Sequence, residues 1–179
     1  MKILTALHRA LAGWRAIITG DPEWARHFDR TRSGFITSLV IYLLFAFLAL
    51  LAGGGGAALN PVNIVIGLLV LALYVLAVVI STALTRLVLR WQGSIFDLLV
   101  PATYAMIVYL ALGSLTALLG APMLFVALVV TALLLFRLAQ VASGWNLGIC
   151  AAFAVLTCVL LVAMPMTLYM LASPPASPT

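Results

Sequence analysis

Apolar stretches long enough to cross a membrane recur along this chain. The first runs FITSLVIYLLFAFLALLA at residues 35–52, holds no charged residue, and is followed by four more of the same kind. A helix of about twenty such residues spans the hydrocarbon core of a bilayer. The pattern predicts an all-α fold, a polytopic transmembrane bundle of five spans within residues 34–172. We place the spans at about 34–53, 62–84, 95–119, 123–142 and 147–171.

The N-terminal segment, residues 1–33, has a different pattern. From residue 2 to residue 18, apolar side chains recur at three- and four-residue spacing, which is typical of an amphipathic helix. Its apolar side holds Ile3, Leu4, Leu7, Leu11, Trp14 and Ile18, and its polar side holds Lys2, His8, Arg9 and Arg15. Basic amphipathic helices commonly lie in the membrane interface. This one could sense the membrane or dock a partner, or it could be an anchor that packs under the bundle.

A helix break is predicted where this segment reaches Gly20. Glycine can adopt the left-handed conformation that closes a helix, and the following Asp21 and Pro22 suit the N-cap and first position of another. We expect that second helix to be short and to run to about Arg30. At the other end of the chain, the Pro- and Ser-rich residues 173–179 are expected to be disordered.

Charged residues are few and lie on one side of the predicted topology. They make up 7% of the chain, against about 25% in soluble domains, so lipid is the solvent for most of it. All nine Lys and Arg residues fall in the N-terminal segment, in the link after span two or near the end of span four. With five spans, these regions share one face of the membrane. The positive-inside rule then puts the N-terminus in the cytoplasm and the C-terminus outside.

The charge pattern also indicates what the basic face contacts. Abundant Arg, Ala and Leu point to a bacterial chain, so we expect the bacterial inner membrane, with anionic lipids rather than nucleic acid as partners. The residues assigned to lipid headgroups are Lys2, Arg9, Arg15, Arg26, Arg30, Arg32, Arg86 and Arg90. The four tryptophans fall on the same side, as interfacial anchors would. They are Trp14, Trp24, Trp91 and Trp145.

Two charges lie at the ends of predicted spans and at similar depth. Asp97 is near the start of span three, and Arg137 is near the end of span four. A tight turn joins these spans, so they should be antiparallel neighbours. We therefore predict an Asp97–Arg137 ion pair that closes this end of the hairpin. The alternative is that Arg137 extends to the headgroups while Asp97 caps its helix in water.

Small residues recur at four-residue spacing in two spans, and such faces allow close helix packing within a bundle or with another chain. In span three they are Gly113 and Ala117. At the start of span five they are Gly144, Gly148 and Ala152.

Catalytic and cofactor-binding patterns do not occur in the sequence. The two histidines, His8 and His27, both precede the first span, and there is no CxxC or HExxH. Hydroxyl residues in the spans have no neighbouring base that could activate them. We therefore expect no enzyme activity, no metal and no cofactor.

The sequence Asp97-Leu98-Leu99-Val100-Pro101 is similar to the Asp-Leu-x-Gly-Pro motif of the Ypt-interacting-protein (Yip) family, with Val100 in place of the glycine. The arrangement of five spans after an N-terminal segment also resembles that family, which has distant bacterial members. The resemblance implies a role in membrane organisation or partner binding.

Two functions remain open at this point. The first is a non-enzymatic scaffold or accessory subunit that binds a membrane-protein partner, or another copy of itself, through helix faces and the basic segment. The alternative is a component of a small-solute transporter or channel that acts as an oligomer. A transporter would need a water-filled cavity, for which Asp97, Tyr104 and Arg137 are the expected lining.

Overall fold

The computed structural model describes residues 2–53, 60–120 and 122–172. The elements are helices α1 (Lys2–Thr19), a 3₁₀ helix (Pro22–His27), α2 (Arg32–Gly53), α3 (Pro61–Leu89), α4 (Phe96–Ser114), α5 (Thr116–Leu119), α6 (Pro122–Ser143) and α7 (Leu147–Ala172). The expected disordered tail, residues 173–179, and most of the glycine-rich loop after α2 lie outside the described residues.

Five of these helices, α2, α3, α4, α6 and α7, are long and apolar enough to cross a membrane. This confirms the all-α, five-span fold class predicted from the sequence. The five helices are those of a multi-pass membrane protein, and many large apolar side chains of α2, α3, α6 and α7 are exposed, where lipid would surround them.

Helix α4 lies at the centre of the bundle. In α4, 67% of the most apolar 18-residue window is buried, against 22–28% in the other four spans. It packs against α2, α3 and α6, and α7 closes the bundle between α3 and α6. Helix α4 is also the least apolar of the five. The most polar span is therefore the one that its neighbours shield from lipid.

Two hydroxyl groups inside the bundle bond to neighbouring helices. The buried Tyr42 hydroxyl of α2 donates to the Leu71 carbonyl of α3 at 2.7 Å. Thr157 Oγ1 of α7 lies 2.8 Å from Ser81 Oγ of α3. These bonds give the hydroxyls partners that hydrocarbon cannot supply, and they fix which faces of the helices meet.

Helix α3 continues past its predicted end at residue 84 and stops at Leu89. It begins at Pro61, where the Asn60 side chain accepts the Val62 amide at 3.0 Å. The residue that caps its end, Arg90, has a left-handed conformation with φ of 49°. Hydropathy placed the end of α3 too early, because it registers only the apolar stretch of the helix. The helix itself can continue beyond the membrane with its backbone hydrogen bonds intact, and charged Arg86 is tolerated in that last turn.

The third span, predicted to reach residue 119, breaks at Leu115 into α4 and the single turn α5. At the break the Leu115 amide bonds to the Leu112 carbonyl, three residues back instead of four. The Thr116 hydroxyl donates to the Gly113 carbonyl at 2.6 Å. This side-chain bond competes with the regular helix ladder, which the hydropathy pattern does not register.

The predicted break after α1 is confirmed. Gly20 has a φ of 77°, and the Asp21 side chain accepts the Glu23 amide at 2.9 Å. The element that follows is shorter and tighter than expected, a 3₁₀ helix that ends at His27 instead of an α-helix to Arg30.

The fold leads to a test of topology. If all five helices cross the membrane, an odd number of crossings puts the N-terminus and residue 172 on opposite sides. If the basic end lies in the cytoplasm, as the charge pattern predicts, a fluorescent protein that matures only there should glow when fused to the N-terminus and stay dark when fused after residue 172. Alkaline phosphatase, which is active only outside, should give the reverse pattern. Equal signals from both ends with either reporter would mean that one of the helices does not cross.

Candidate functional site

Three basic segments of the sequence meet at one end of the bundle, which we call the basic end. They are the N-terminal residues 2–33, the link at residues 86–95 and the turn at residues 137–146. Arg30 bonds to Asp97, which follows the link, and the Trp91 and Trp145 rings lie 5.5 Å apart in a T-shaped pair. The N-terminal segment, the link and the turn thus form one assembled surface.

Helix α1 packs across this end against α4 and α6. The face that it buries comprises Ala10, Gly13, Trp14 and Ile17. Gly13 permits the close approach, since a Cβ atom there would lie 2.8 Å from Cζ of Phe28 and 2.9 Å from Cβ of His27. The 3₁₀ segment therefore rests directly on the backbone of α1.

A second apolar stripe of α1 stays exposed. Leu4, Leu11 and Ile18 are 78%, 63% and 51% exposed. They recur every seven residues, so they share one side of the helix, next to exposed His8 and Arg15. The predicted apolar face is thus divided: part of it packs on the protein, and part of it is free for lipid or a partner.

Arg30 joins the N-terminal segment to the central helix. Its Nη1 lies 3.0 Å from Asp97 Oδ1, and its guanidinium stands 5.8 Å from the centre of the Trp24 ring. Trp24 is buried and packs on Phe28, whose ring lies 6.0 Å from that of Tyr104 in α4. The chain before the first span is therefore held to α4 by one ion pair and a row of aromatic contacts.

The Asp97–Arg137 pair predicted from the sequence is wrong. Asp97 pairs with Arg30, and Arg137 Nη1 instead lies 3.4 Å from Gln140 Oε1 on its own helix. Helices α4 and α6 do pack together, as expected, but the face of α6 turned inward carries Leu135 and Ala139. Arg137 is about half a turn away from that face and is exposed.

Two of the four predicted interfacial tryptophans are also corrected. Trp14 and Trp24 are only 7% and 6% exposed, so they belong to the protein core and not to the membrane interface. Each lies on a helix face that packs against the rest of the chain. Trp91 and Trp145 are half-buried in their mutual contact, and their role as interfacial anchors stays a prediction.

The predicted small residues whose surroundings the structure describes do not pack helices together within the chain. A Cβ atom at Gly113 or Gly144 would meet nothing within 4 Å, and at Gly148 only Asn146 of the same segment. Gly144 instead provides a turn, with φ of 65°. Ala152 is exposed on α7, and the side chain of Ala117 lies outside the described residues. Packing with another chain, the other expectation, stays a prediction.

The basic residues assigned to lipid headgroups divide into two groups. Some are held by the protein: Arg26 pairs with Glu23 at 2.9 Å, Arg30 pairs with Asp97, and Arg86 Nε donates to the Trp91 carbonyl at 3.4 Å. The others are exposed and make no ion pair within the described residues: Arg9, Arg15, Arg32 and Arg90. The Lys2 side chain lies outside them.

A cleft of about 540 Å³ opens at the basic end between α1, the 3₁₀ helix, the start of α2 and α4. Its polar lining includes Arg9, Arg26, His27, Asp29, Thr37 and Tyr104. We call it the N-terminal cleft. Of the three residues expected in a transport cavity, Tyr104 lines it and Asp97 and Arg137 do not. The sequence did not indicate His27 and Asp29 as site residues, because a reversal of the chain around residue 30 brings them to the cleft.

The start of α2 shows how that reversal is built. The Thr31 hydroxyl donates to Asp29 Oδ1 at 2.7 Å, and the Gly34 amide donates to the Thr31 hydroxyl at 3.2 Å. Ser33 Oγ donates to Asp29 Oδ2 at 3.3 Å. The Asp29-x-Thr31-x-Ser33 spacing, typical of a helix cap, was the sequence signal that could have located this corner.

Comparisons of this chain with known protein families, curated proteins and solved structures found no match. The resemblance to the Ypt-interacting-protein family therefore stays a prediction.

The Arg30–Asp97 pair can be tested by a double-mutant cycle. Arg30→Gln and Asp97→Asn should show a coupling energy of about 1–2 kcal/mol, because the pair is partly buried and charge-assisted. The free energy of unfolding would be measured in mixed detergent micelles. The matched control is Glu23–Arg26, which is similarly close but more exposed, and should couple by less than about 0.5 kcal/mol. Coupling between Asp97 and Arg137 that exceeds the Arg30–Asp97 value would contradict this assignment.

The docking of the 3₁₀ segment on α1 can be tested at Gly13. Gly13→Ala should lower the Tm and cost about 1–3 kcal/mol, because the added methyl group meets a buried ring. Gly113→Ala, near the end of α4, is the control, since its methyl group meets nothing within 4 Å and alanine is a better helix former than glycine. Equal Tm changes in the two variants would show that α1 and the 3₁₀ segment are not in contact.

Proposed function

We propose that this chain is a non-enzymatic integral membrane protein that acts as a scaffold or accessory subunit. It binds a membrane-protein partner, or another copy of itself, through its basic end. The observation that carries this proposal is the exposed stripe of Leu4, Leu11 and Ile18 on a helix whose other apolar face is already packed. Because α1 is held to the bundle by that packed face, the stripe is presented in a fixed orientation.

The composition of the stripe suits a partner at the membrane surface. Three large aliphatic side chains provide the apolar area that interface cores are built from. His8 and Arg15 flank them on the same exposed side and can contact acidic groups or lipid phosphates. A partner that is itself embedded in the membrane could contact both the aliphatic stripe and the polar residues beside it.

The interior of the bundle supports an accessory role more than transport. Helix α4 is enclosed by its neighbours, and its buried residues from Leu98 to Leu110 are mostly apolar. The hydroxyls of Tyr42 and Thr103 bond to backbone carbonyls. A transporter requires a polar path through the bundle, and no such path emerges from the side-chain contacts of the described residues.

The proposed setting is the bacterial inner membrane, with the basic end in the cytoplasm. Support comes from the position of the charges: every Arg of the described residues lies at this end, whereas the opposite end, at residues 60 and 120, is uncharged.

The proposal is tested by affinity capture from native membranes in a mild detergent, followed by mass analysis. The tagged chain should recover a stoichiometric partner or a second copy. Leu11→Gln should reduce that recovery by about tenfold or more, because it removes a central apolar contact. Val62→Gln, at the opposite end of the bundle and with a similarly exposed apolar side chain (62% against 63%), is the matched control and should retain the complex. Recovery of the chain alone, or equal recovery with both variants, would contradict the proposal.

A further inference from the structure

One polar group that lines the N-terminal cleft has no hydrogen-bond partner within the described residues. Tyr104 is 8% exposed and lines the cleft, and its hydroxyl has no hydrogen-bond partner among the described residues. Although the residue as a whole is largely buried, its hydroxyl oxygen is not among the buried atoms without a partner, so it is open to the cleft. The hydroxyl of the preceding residue, Thr103, is by contrast bonded within the helix, to the Leu99 carbonyl at 2.8 Å. The cleft is thus where a partner for Tyr104 would sit.

The charges around the cleft favour an anion. Arg9 of α1 lines it and makes no ion pair within the described residues. Arg26 lines it from the 3₁₀ helix and pairs with Glu23, but both side chains are largely exposed, at 77% and 59%. Such surface pairs are weak and exchange readily for a better acceptor. His27, between them in the wall, adds a further donor.

The one carboxylate in the cleft is already engaged. Asp29 accepts hydrogen bonds from Thr31 and Ser33 at the start of α2. Its charge is therefore directed to the positive end of that helix. Of the two guanidinium groups, Arg9 has no ion-pair partner among the described residues and Arg26 has only the exposed Glu23. With two arginines and one carboxylate, the lining of the cleft is net positive.

The size and position of the cleft narrow the class of anion. A volume of about 540 Å³ falls within the range of roughly 300–1,000 Å³ that ligand sites occupy, and is larger than a simple ion needs. Part of the lining is apolar and consists of the buried side chains of Phe28 and Val100. The cleft also lies at the end of membrane-spanning helices, at the level where lipid headgroups are found. Paired guanidinium groups and hydroxyls are suited to phosphate oxygens.

We propose that the N-terminal cleft binds the phosphate group of a phosphate ester, with Arg9 and Arg26 contacting the phosphate oxygens and the Tyr104 hydroxyl donating to one of them. A glycerophospholipid headgroup, whose acyl chains would lie along the exposed apolar side of α2, and a soluble phosphate ester share this chemistry. The site goes beyond the proposed docking of a partner, because it uses the inner side of α1 and not the exposed stripe.

The test uses the purified full chain in a neutral detergent and counts bound lipid by native mass spectrometry. Dioleoyl phosphatidylglycerol is the lipid probe, and dioleoylglycerol, which has the same chains without the phosphate, is its matched control. Glycerol 3-phosphate is the soluble probe. We expect one saturable phosphatidylglycerol per chain and no saturable binding of dioleoylglycerol. Saturable binding of glycerol 3-phosphate alone would support the phosphate site and assign it to a soluble ester.

Variants locate the binding in the cleft. Arg9→Gln and Arg26→Gln should each weaken the affinity about tenfold, since each removes a charge-assisted bond. Tyr104→Phe keeps the ring and should weaken it about threefold to tenfold through loss of the hydroxyl. Arg15→Gln, on the outer side of α1, should change it by less than about twofold. The Tm of each variant is measured alongside.

Three results would overturn the proposal: no saturable binding of either phosphate probe, equal retention of dioleoylglycerol, or an Arg15→Gln effect as large as that of Arg9→Gln. The last would mean that diffuse surface charge attracts the lipid. This test is independent of the partner capture, because lipid binding is measured on the isolated chain. Lipid binding can be absent while a partner is captured, and a partner can be absent while lipid binds.

Discussion

The structure depends on keeping one helix out of contact with lipid. Hydrocarbon offers no hydrogen-bond partner, so the most polar span of a membrane bundle must be enclosed by the others. Helix α4 carries Asp97, Thr103 and two tyrosines, and α2, α3 and α6 surround it. The other four spans, which are more apolar, face lipid instead of α4. The order of helices in the bundle follows from this one requirement.

The same helix also organises the basic end. Asp97 lies in the first turn of α4, where the helix dipole favours a negative charge, and it forms an ion pair with Arg30. Arg30 in turn stands over Trp24, which packs the 3₁₀ segment against α1 through Phe28 and Gly13. The N-terminal residues thereby become part of the folded protein. A segment of this composition could otherwise lie loosely in the interface, and neither a fixed exposed stripe nor a cleft would exist.

The sequence predicted the fold class and most helix ends because hydropathy and caps are local properties. Gly20, Asp21 and the Asn60-Pro61 pair act on neighbouring residues, and the structure has them where the pattern placed them. The partner of Asp97 was mispredicted because the choice between Arg30 and Arg137 depends on which face of α6 turns inward, and hydropathy does not encode that in so uniformly apolar a helix. The burial of Trp14 has the same origin. An amphipathic pattern identifies an apolar face but not whether protein or lipid covers it, and the cleft, built from four separate elements, leaves no contiguous pattern at all.

The central claim is that the N-terminal segment folds onto the bundle and not onto the membrane. It is tested most directly by tryptophan fluorescence of a Trp91→Phe, Trp145→Phe variant, in which Trp14 and Trp24 are the only tryptophans. The variant is placed in bilayers of lipids brominated at shallow or deep acyl positions, which quench from the lipid side. Aqueous iodide is the quencher from the water side. Because both rings are buried, at 7% and 6% exposure, the account predicts little quenching from lipid and little from water. Strong quenching by the shallow brominated lipid would place these rings in the interface and would contradict it.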